Sequence, residues 1–164
     1  GYSVTYLHEA LGYAVEEAGP IFGSAALIAV PARIFWGWIG STYVRPHYLL
    51  AGLAAIMAVS TAAMGAFAAD WSEGQIFAVF AVVSLSVLSW HGVLLSEAAR
   101  LAPAGEAGRV TGGVLAFGSA GQVVYPLVFG AGLFVGGYAL AYIAIGIPAA
   151  VVGVLLLRLD RAAP

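Results

Sequence analysis

The sequence contains no cysteine and no lysine, and charged residues make up only 9% of its 164 positions. Without cysteine the chain forms no disulfide and offers no thiolate to a metal ion, so no metal site is predicted. Because 62% of the residues are hydrophobic, the composition does not fit a soluble domain, and we expect lipid to be the solvent. The net charge of −2 gives no reason to expect nucleic acid as a partner, and nothing indicates a cofactor.

Long apolar runs dominate what is present. A helix of about 20 residues spans a hydrocarbon core of about 30 Å, and five runs reach that length. Residues 1–11 cover only about half of the core, which predicts the last turns of a truncated helix. The predicted fold is therefore an all-α, polytopic transmembrane helix bundle, a single domain over residues 1–164 with a helix stub followed by five complete spans. The spans cover about residues 18–40, 48–69, 75–98, 110–134 and 138–157.

The basic residues indicate the orientation. All six are arginines that fall in every second gap between apolar runs, and positive charge near a helix end resists translocation. The gaps that contain them should be cytoplasmic, and so should the C-terminus. Arginine without lysine, with abundant alanine and glycine, is typical of a GC-rich genome, so we expect a bacterial-type cytoplasmic (inner) membrane. The arginines are Arg33, Arg45, Arg100, Arg109, Arg158 and Arg161; the opposite gaps carry Glu9, Glu16, Glu17, Asp70 and Glu73.

Polar side chains deep in a bilayer are costly, so the few in these spans are functional candidates. His91 lies in the third span, where an imidazole can bind substrate or relay a proton, or can simply be bonded to a serine or a carbonyl. Gln122 lies near the middle of the fourth span, where Pro126 should loosen the backbone; it lines a cavity or links two helices. The predicted substrate-pathway residues are Trp90, His91, Ser119, Gln122 and Tyr125.

Residues near the predicted cytoplasmic ends suggest anchoring and gating. Aromatic residues around the first cytoplasmic turn, Trp36 among them, are typical of an interface belt. Glu97 and Arg100 are three residues apart and can pair along one helix face. Such a pair is either purely structural or, by breaking and reforming, biases the balance between two packings that differ by a few kcal/mol.

Residues 32–41 read Ala-Arg-Ile-Phe-Trp-Gly-Trp-Ile-Gly-Ser and are followed by Arg45. This stretch resembles the cytoplasmic turn after the eighth helix of major facilitator superfamily transporters. Gly37, Ile39, Gly40 and Arg45 match the family pattern, and Ser41 stands where the family usually has aspartate. The resemblance implies a tight glycine turn at this point.

Two further stretches extend the resemblance. Residues 90–103 resemble the tenth helix of the family and the loop after it, and residues 112–130 resemble its eleventh helix. The resemblance implies the C-terminal six-helix half of a twelve-helix secondary transporter, which moves a small solute by alternating access with ion coupling. It also implies that the chain is a fragment whose missing N-terminal half completes the site. The implied cytoplasmic gate and motif residues are Arg33, Gly37, Gly40, Ser41, Arg45, Glu97 and Arg100.

Two other classes remain open. A membrane scaffold that does not transport should have all its buried polar groups paired and no cavity near the bilayer midplane. An intramembrane hydrolase would need Ser119 and His91 within hydrogen-bond reach. Residues 117–121 read Phe-Gly-Ser-Ala-Gly, one residue out of register with a Gly-x-Ser-Gly nucleophile, and other enzyme motifs are missing, so the chain is predicted not to be an enzyme.

Overall fold

A computed structural model describes residues 2–68 and 70–159, and within these ranges all regular structure is helical. The predicted all-α class is confirmed. Gly1, Ala69, Asp160 and Arg161, which take part in the sequence predictions, lie outside the described residues. The helices are α1 Tyr2–Leu11, α2 Val15–Leu27, α3 Ala29–Thr42, α4 Pro46–Gly65, α5 Glu73–Ser86, α6 His91–Leu101 and α7 Ala107–Leu159.

Four helical stretches are long and apolar enough to cross a membrane, so the chain is an integral membrane protein. Two of them combine neighbouring helices, α2 with α3 and α5 with α6. The stretches are Val15–Thr42, Pro46–Gly65, Glu73–Leu101 and Ala107–Arg158.

Helix α7 is a hairpin of two helical arms. Gly136 and Gly137 have non-helical backbone angles, and Gly137 has φ +70°, which favours glycine. The rings of Phe129 and Tyr142 lie 5.0 Å apart, whereas thirteen residues of straight helix would separate them by about 20 Å. The chain therefore reverses at this glycine pair. Its two arms, residues 107–135 and 138–159, correspond to the last two predicted spans.

The first span bends where the sequence contains a proline. Helix α2 ends at Leu27 and α3 begins at Ala29, with Ile28 between them. Pro31 has no N–H to donate to the Leu27 carbonyl four residues earlier, and the Ile28 N–H bonds to Ala25 at 3.1 Å in a tighter turn. Helix α7 keeps helical backbone angles through Pro126, although Pro126 has no N–H to donate to the Gln122 carbonyl.

Two predicted boundaries also need correction. The second span was expected to reach residue 69, but α4 ends at Gly65 and starts at Pro46, a first-turn position that needs no N–H donor. The expected tight glycine turn is absent from its predicted place, since Gly37 and Gly40 both lie inside α3. Gly40 serves packing instead, because a Cβ there would meet Leu49 Cδ2 at 3.0 Å.

Consecutive spans run in opposite directions, so the connections between them alternate between the two ends of the bundle. We call the end with Arg45, Arg100 and Arg109 the arginine end, and the end with Glu9 and Glu73 the acidic end. A hydrogen bond of 2.8 Å from the Tyr138 hydroxyl to Glu9 joins α7 to α1 at the acidic end. The largest core cluster lies toward this end and is rich in aromatic rings; it contains Tyr6, Phe67, Phe80, Phe129 and Tyr142.

Close backbone contact joins α4 to the second arm of α7. A Cβ added to Gly65 would lie 2.9 Å from the Ala139 carbonyl oxygen, and one on Gly146 would lie 3.2 Å from that of Ala58. Small residues let helices approach in this way in lipid. The pair of α4 and the second α7 arm packs against α6. Near the arginine end this packing includes a cluster of Leu49, Leu53 and Val93.

Candidate functional site

The third span contains a break that the sequence prediction missed. Residues 87–90 separate α5 from α6, and the Ser89 N–H bonds to the Ser86 carbonyl rather than to that of Leu85, its regular partner four residues back. Buried serine hydroxyls compete for the backbone here: Ser86 donates to Val82 at 2.9 Å and Ser89 to Ser84 at 2.8 Å. Such back-bonding weakens and bends a helix, which explains a break without proline.

Side chains of α3 bond to the carbonyl groups at the break. The Trp36 indole N–H donates to Leu85 at 2.6 Å, and Arg33 Nε donates to Leu88 at 3.0 Å. In lipid an unsatisfied carbonyl costs several kcal/mol, so these bonds stabilise the break. Trp36 was predicted only as an interface anchor; its bond to Leu85 gives it a contact inside the bundle.

Arg33 lies deeper than a residue at a helix end. The α2–α3 span has 28 residues, about 42 Å of helix, and Arg33 is nine residues before its last residue, Thr42. If the span is centred on a core of about 30 Å, Arg33 lies about 8 Å inside the hydrocarbon. Its role in a cytoplasmic gate stays a prediction.

His91 lies at the level of Arg33. Helices α3 and α6 both end at the arginine end, and His91 is ten residues before the end of α6 at Leu101. The Leu88 carbonyl that holds Arg33 is three residues before His91, about one turn along the same span. The break thus brings a guanidinium and an imidazole to the same depth.

A cleft of about 680 Å³ lies between α6 and the first arm of α7. It brings together four of the five predicted pathway residues, Trp90, His91, Ser119 and Gln122. Tyr125 is not among its lining residues, although it lies one turn from Gln122. Apolar side chains complete the wall: Leu94, Leu95, Val110, Val114, Leu115 and Phe117.

The polar groups in the cleft differ in how they are held. The His91 ring stacks against Trp90 with centroids 4.2 Å apart, and the Ser119 hydroxyl donates to Leu115 at 3.0 Å. In residues 2–68 and 70–159 the Gln122 amide has no hydrogen-bond partner, so nothing there supports the helix-linking alternative. Gln122 is exposed in this chain, so its amide does not test the scaffold alternative, which concerns buried polar groups.

The hydrolase alternative requires a hydrogen bond between Ser119 and His91. In the described part of the chain no such bond exists, and the Ser119 hydroxyl hydrogen is directed to its own helix. Nor do three or more metal-binding side chains gather anywhere in that part.

The predicted ion pair near the arginine end is present. Arg100 donates to both carboxylate oxygens of Glu97, with two distances of 2.6 Å, and the Glu97 side chain is only 16% exposed. Arg109 and Glu106 form a second, looser pair at 3.2 Å across the start of α7. Both pairs flank the 102–106 connection, and their role in gating stays a prediction.

Comparisons with known proteins relate this membrane protein to a transporter. The chain is 33% identical over 132 residues to the protein named "Probable nitrate/nitrite transporter NarK2" in two Mycobacterium tuberculosis strains, CDC 1551 / Oshkosh and H37Rv. The match covers 79% of this chain and 32% of the relative, so the chain spans about a third of that protein's length. No family profile matches the chain, and no solved structure matches it. The transport class implied by the sequence resemblance is thereby supported.

Proposed function

We propose that this chain is part of a secondary transporter for a small monovalent oxyanion, nitrate or nitrite, with Arg33 as the anion contact. The observation that carries the proposal is an arginine held inside a membrane span by a backbone carbonyl, in a chain similar to a probable nitrate/nitrite transporter.

The charge of Arg33 calls for an anion. Arginine inside a membrane is costly and faces a cavity or another part of the protein. In the described ranges Arg33 forms no ion pair, whereas Arg100 and Arg109 each have a carboxylate partner. The guanidinium therefore carries an uncompensated charge that one monovalent anion would neutralise.

The geometry of the guanidinium suits a planar oxyanion. Its Nε–H is used by the Leu88 carbonyl, which leaves the two terminal NH₂ groups for another ligand. Nitrate and nitrite present oxygens in one plane, as a carboxylate does, and arginine binds such groups through two parallel hydrogen bonds. A lysine could not provide this fork.

The remainder of the transport path belongs, in this proposal, to a missing partner half. Arg33 and the polar side of the first α7 arm, with Ser119 and Gln122, are exposed in this chain. In a twelve-helix carrier such surfaces meet the other half near the membrane midplane. The chain would then be most of a C-terminal half in a bacterial-type inner membrane, with the arginine end in the cytoplasm, and would not transport alone.

Ion coupling in this proposal involves His91. It lies in the cleft wall at the depth of Arg33, and protonation would add a second positive charge where the anion binds. Proton uptake and anion binding at one place would favour each other by charge attraction. The packing could then alternate between the two sides of the membrane with both ions bound, while the Glu97–Arg100 pair biases the arginine end.

The test uses the full-length protein in proteoliposomes and measures nitrate and nitrite uptake as a function of pH. We expect Gln122→Ala to lower uptake at limiting substrate by roughly 3- to 30-fold through loss of one hydrogen bond. We expect His91→Ala to flatten the pH dependence. Val59→Ala, in the lining of a separate apolar cavity between α4 and α5, is the matched control that should change neither.

Two results would contradict the proposal. If His91→Ala and Gln122→Ala left uptake and its pH dependence unchanged, the pathway assignment would be wrong. If the wild-type protein moved another solute but neither nitrate nor nitrite, the anion assignment would be wrong.

A further inference from the structure

We propose that Trp36 is a positioning residue for Arg33, which it orients through the break between α5 and α6. The inference rests on the proposed function, since it concerns how the anion contact is held. It assigns a role inside the transport site to a tryptophan that does not line the cleft.

Side chains satisfy several carbonyl groups at the break. Three of them, on Ser84, Leu85 and Leu88, accept hydrogen bonds from side chains. The donors are Ser89, Trp36 and Arg33 respectively. A break of this kind persists in a membrane only while its carbonyl groups are satisfied, because no water replaces a lost donor.

Helix α3 carries two of these donors. Arg33 and Trp36 are three residues apart and lie on one face of the helix, and both reach the same short segment of the neighbouring span. Trp36 bonds to Leu85, and Arg33 bonds to Leu88, three residues further on. A shift of one carbonyl would move the other, since only residues 86–87 lie between them.

The bond to Leu88 determines how Arg33 faces an anion. The Leu88 carbonyl fixes Nε and thus the plane of the Arg33 fork, so the two terminal NH₂ groups point in a defined direction. If the Leu85 carbonyl lost its indole donor, the break would tend to recover regular helix bonding, with the Ser89 N–H returning to Leu85. The Leu88 carbonyl would then rotate away from Arg33.

The Trp36 ring is also well placed to act as a rigid donor. It is packed beside the Leu49, Leu53 and Val93 cluster, and its indole N–H has only one hydrogen to give. The bond length of 2.6 Å to Leu85 indicates close contact. By contrast, Trp38 on the same helix is 52% exposed, and its N–H has no partner within residues 2–68 and 70–159.

The experiment compares Trp36→Phe with Trp38→Phe in the full-length protein, by nitrate uptake into proteoliposomes. We expect Trp36→Phe to raise KM by roughly 5- to 30-fold, the effect of one hydrogen bond inside a membrane. The maximal rate should stay within about twofold, because a misdirected Arg33 weakens binding rather than the rocking step. Trp38→Phe should leave KM unchanged.

A second pair of variants separates the N–H from the volume of the ring. Benzothienylalanine at position 36 replaces the indole N–H by sulfur at nearly constant size, and 7-azatryptophan keeps the N–H. We expect the first to raise KM as Trp36→Phe does and the second to retain the wild-type KM. These variants also serve if Trp36→Phe fails to fold.

The outcomes distinguish this inference from the proposed function. If Arg33→Gln abolished uptake but Trp36→Phe and the benzothienylalanine variant kept the KM of Trp38→Phe, the positioning role alone would be overturned. If Arg33→Gln itself left uptake unchanged, the proposed function would fail and the positioning role with it.

Discussion

Arg33→Gln is expected to abolish nitrate and nitrite uptake by the full-length protein. Removing one partner of a buried charge pair costs about 2–5 kcal/mol, which corresponds to a loss of about 30- to 5000-fold in anion affinity. Arg33→Lys should retain a small fraction, since an ammonium keeps the charge but not the two-pronged geometry. Uptake of labelled nitrate at limiting concentration gives the measurement.

The control for this prediction is Arg109→Gln. Arg109 lies at the start of the first α7 arm, where its side chain is 82% exposed and already has Glu106 as a partner. Its replacement should leave uptake within about twofold of wild type, because exposed pairs contribute little. Wild-type uptake by Arg33→Gln would show that the anion contact lies elsewhere.

Replacement of Gly136 and Gly137 by alanine is the prediction with the second largest effect. Gly137 has φ +70° and ψ −167°, a region that only glycine adopts readily, and a Cβ on Gly136 would lie 2.7 Å from Leu140 Cδ2. Backbone strain of this kind costs about 1–3 kcal/mol, and crowding adds to it. We therefore expect the double variant to lose about 2–4 kcal/mol of unfolding free energy.

The same helix offers a matched control for the hairpin. Helix α7 contains a second pair of adjacent glycines, Gly112 and Gly113, in its first arm. Their φ values are negative, and a Cβ added to either would meet nothing within 4 Å. Alanine at both should stabilise the arm slightly through helix propensity. Unfolding in mixed micelles with increasing denaturing detergent measures both variants. Equal stability of the two double variants would mean that the chain does not need this turn.

The positions of the spans could largely be predicted from hydropathy, and so could the turn at Gly136 and Gly137. The break inside the third span could not. The break at residues 87–90 has no proline or glycine to mark it, and its cause is a cluster of serine hydroxyls whose bonding depends on the neighbouring helix. Pro126, which often marks a bend, lies in a stretch of α7 with helical backbone angles.

Part of the candidate site could also be predicted from the sequence. Depth alone identified His91, Ser119 and Gln122, because polar residues in a span are rare enough to be informative. For Arg33 the sequence rule indicates a side of the membrane but gives no depth. The role of Trp36 depends on a carbonyl released by the break, and only its spacing of three residues from Arg33 on one helix face was available as a signal.

The claim that anions pass the cleft between α6 and the first arm of α7 can be tested by thiol labelling. The chain has no cysteine, so a single Ser119→Cys reports on the cleft, and Val59→Cys reports on the apolar face of α4. In full-length protein without other reactive thiols, a charged, membrane-impermeant thiol reagent should label Ser119→Cys and not Val59→Cys. Nitrate should slow the labelling at Ser119→Cys and chloride should not. No labelling at Ser119→Cys, or labelling that nitrate leaves unchanged, would contradict an anion pathway at this cleft.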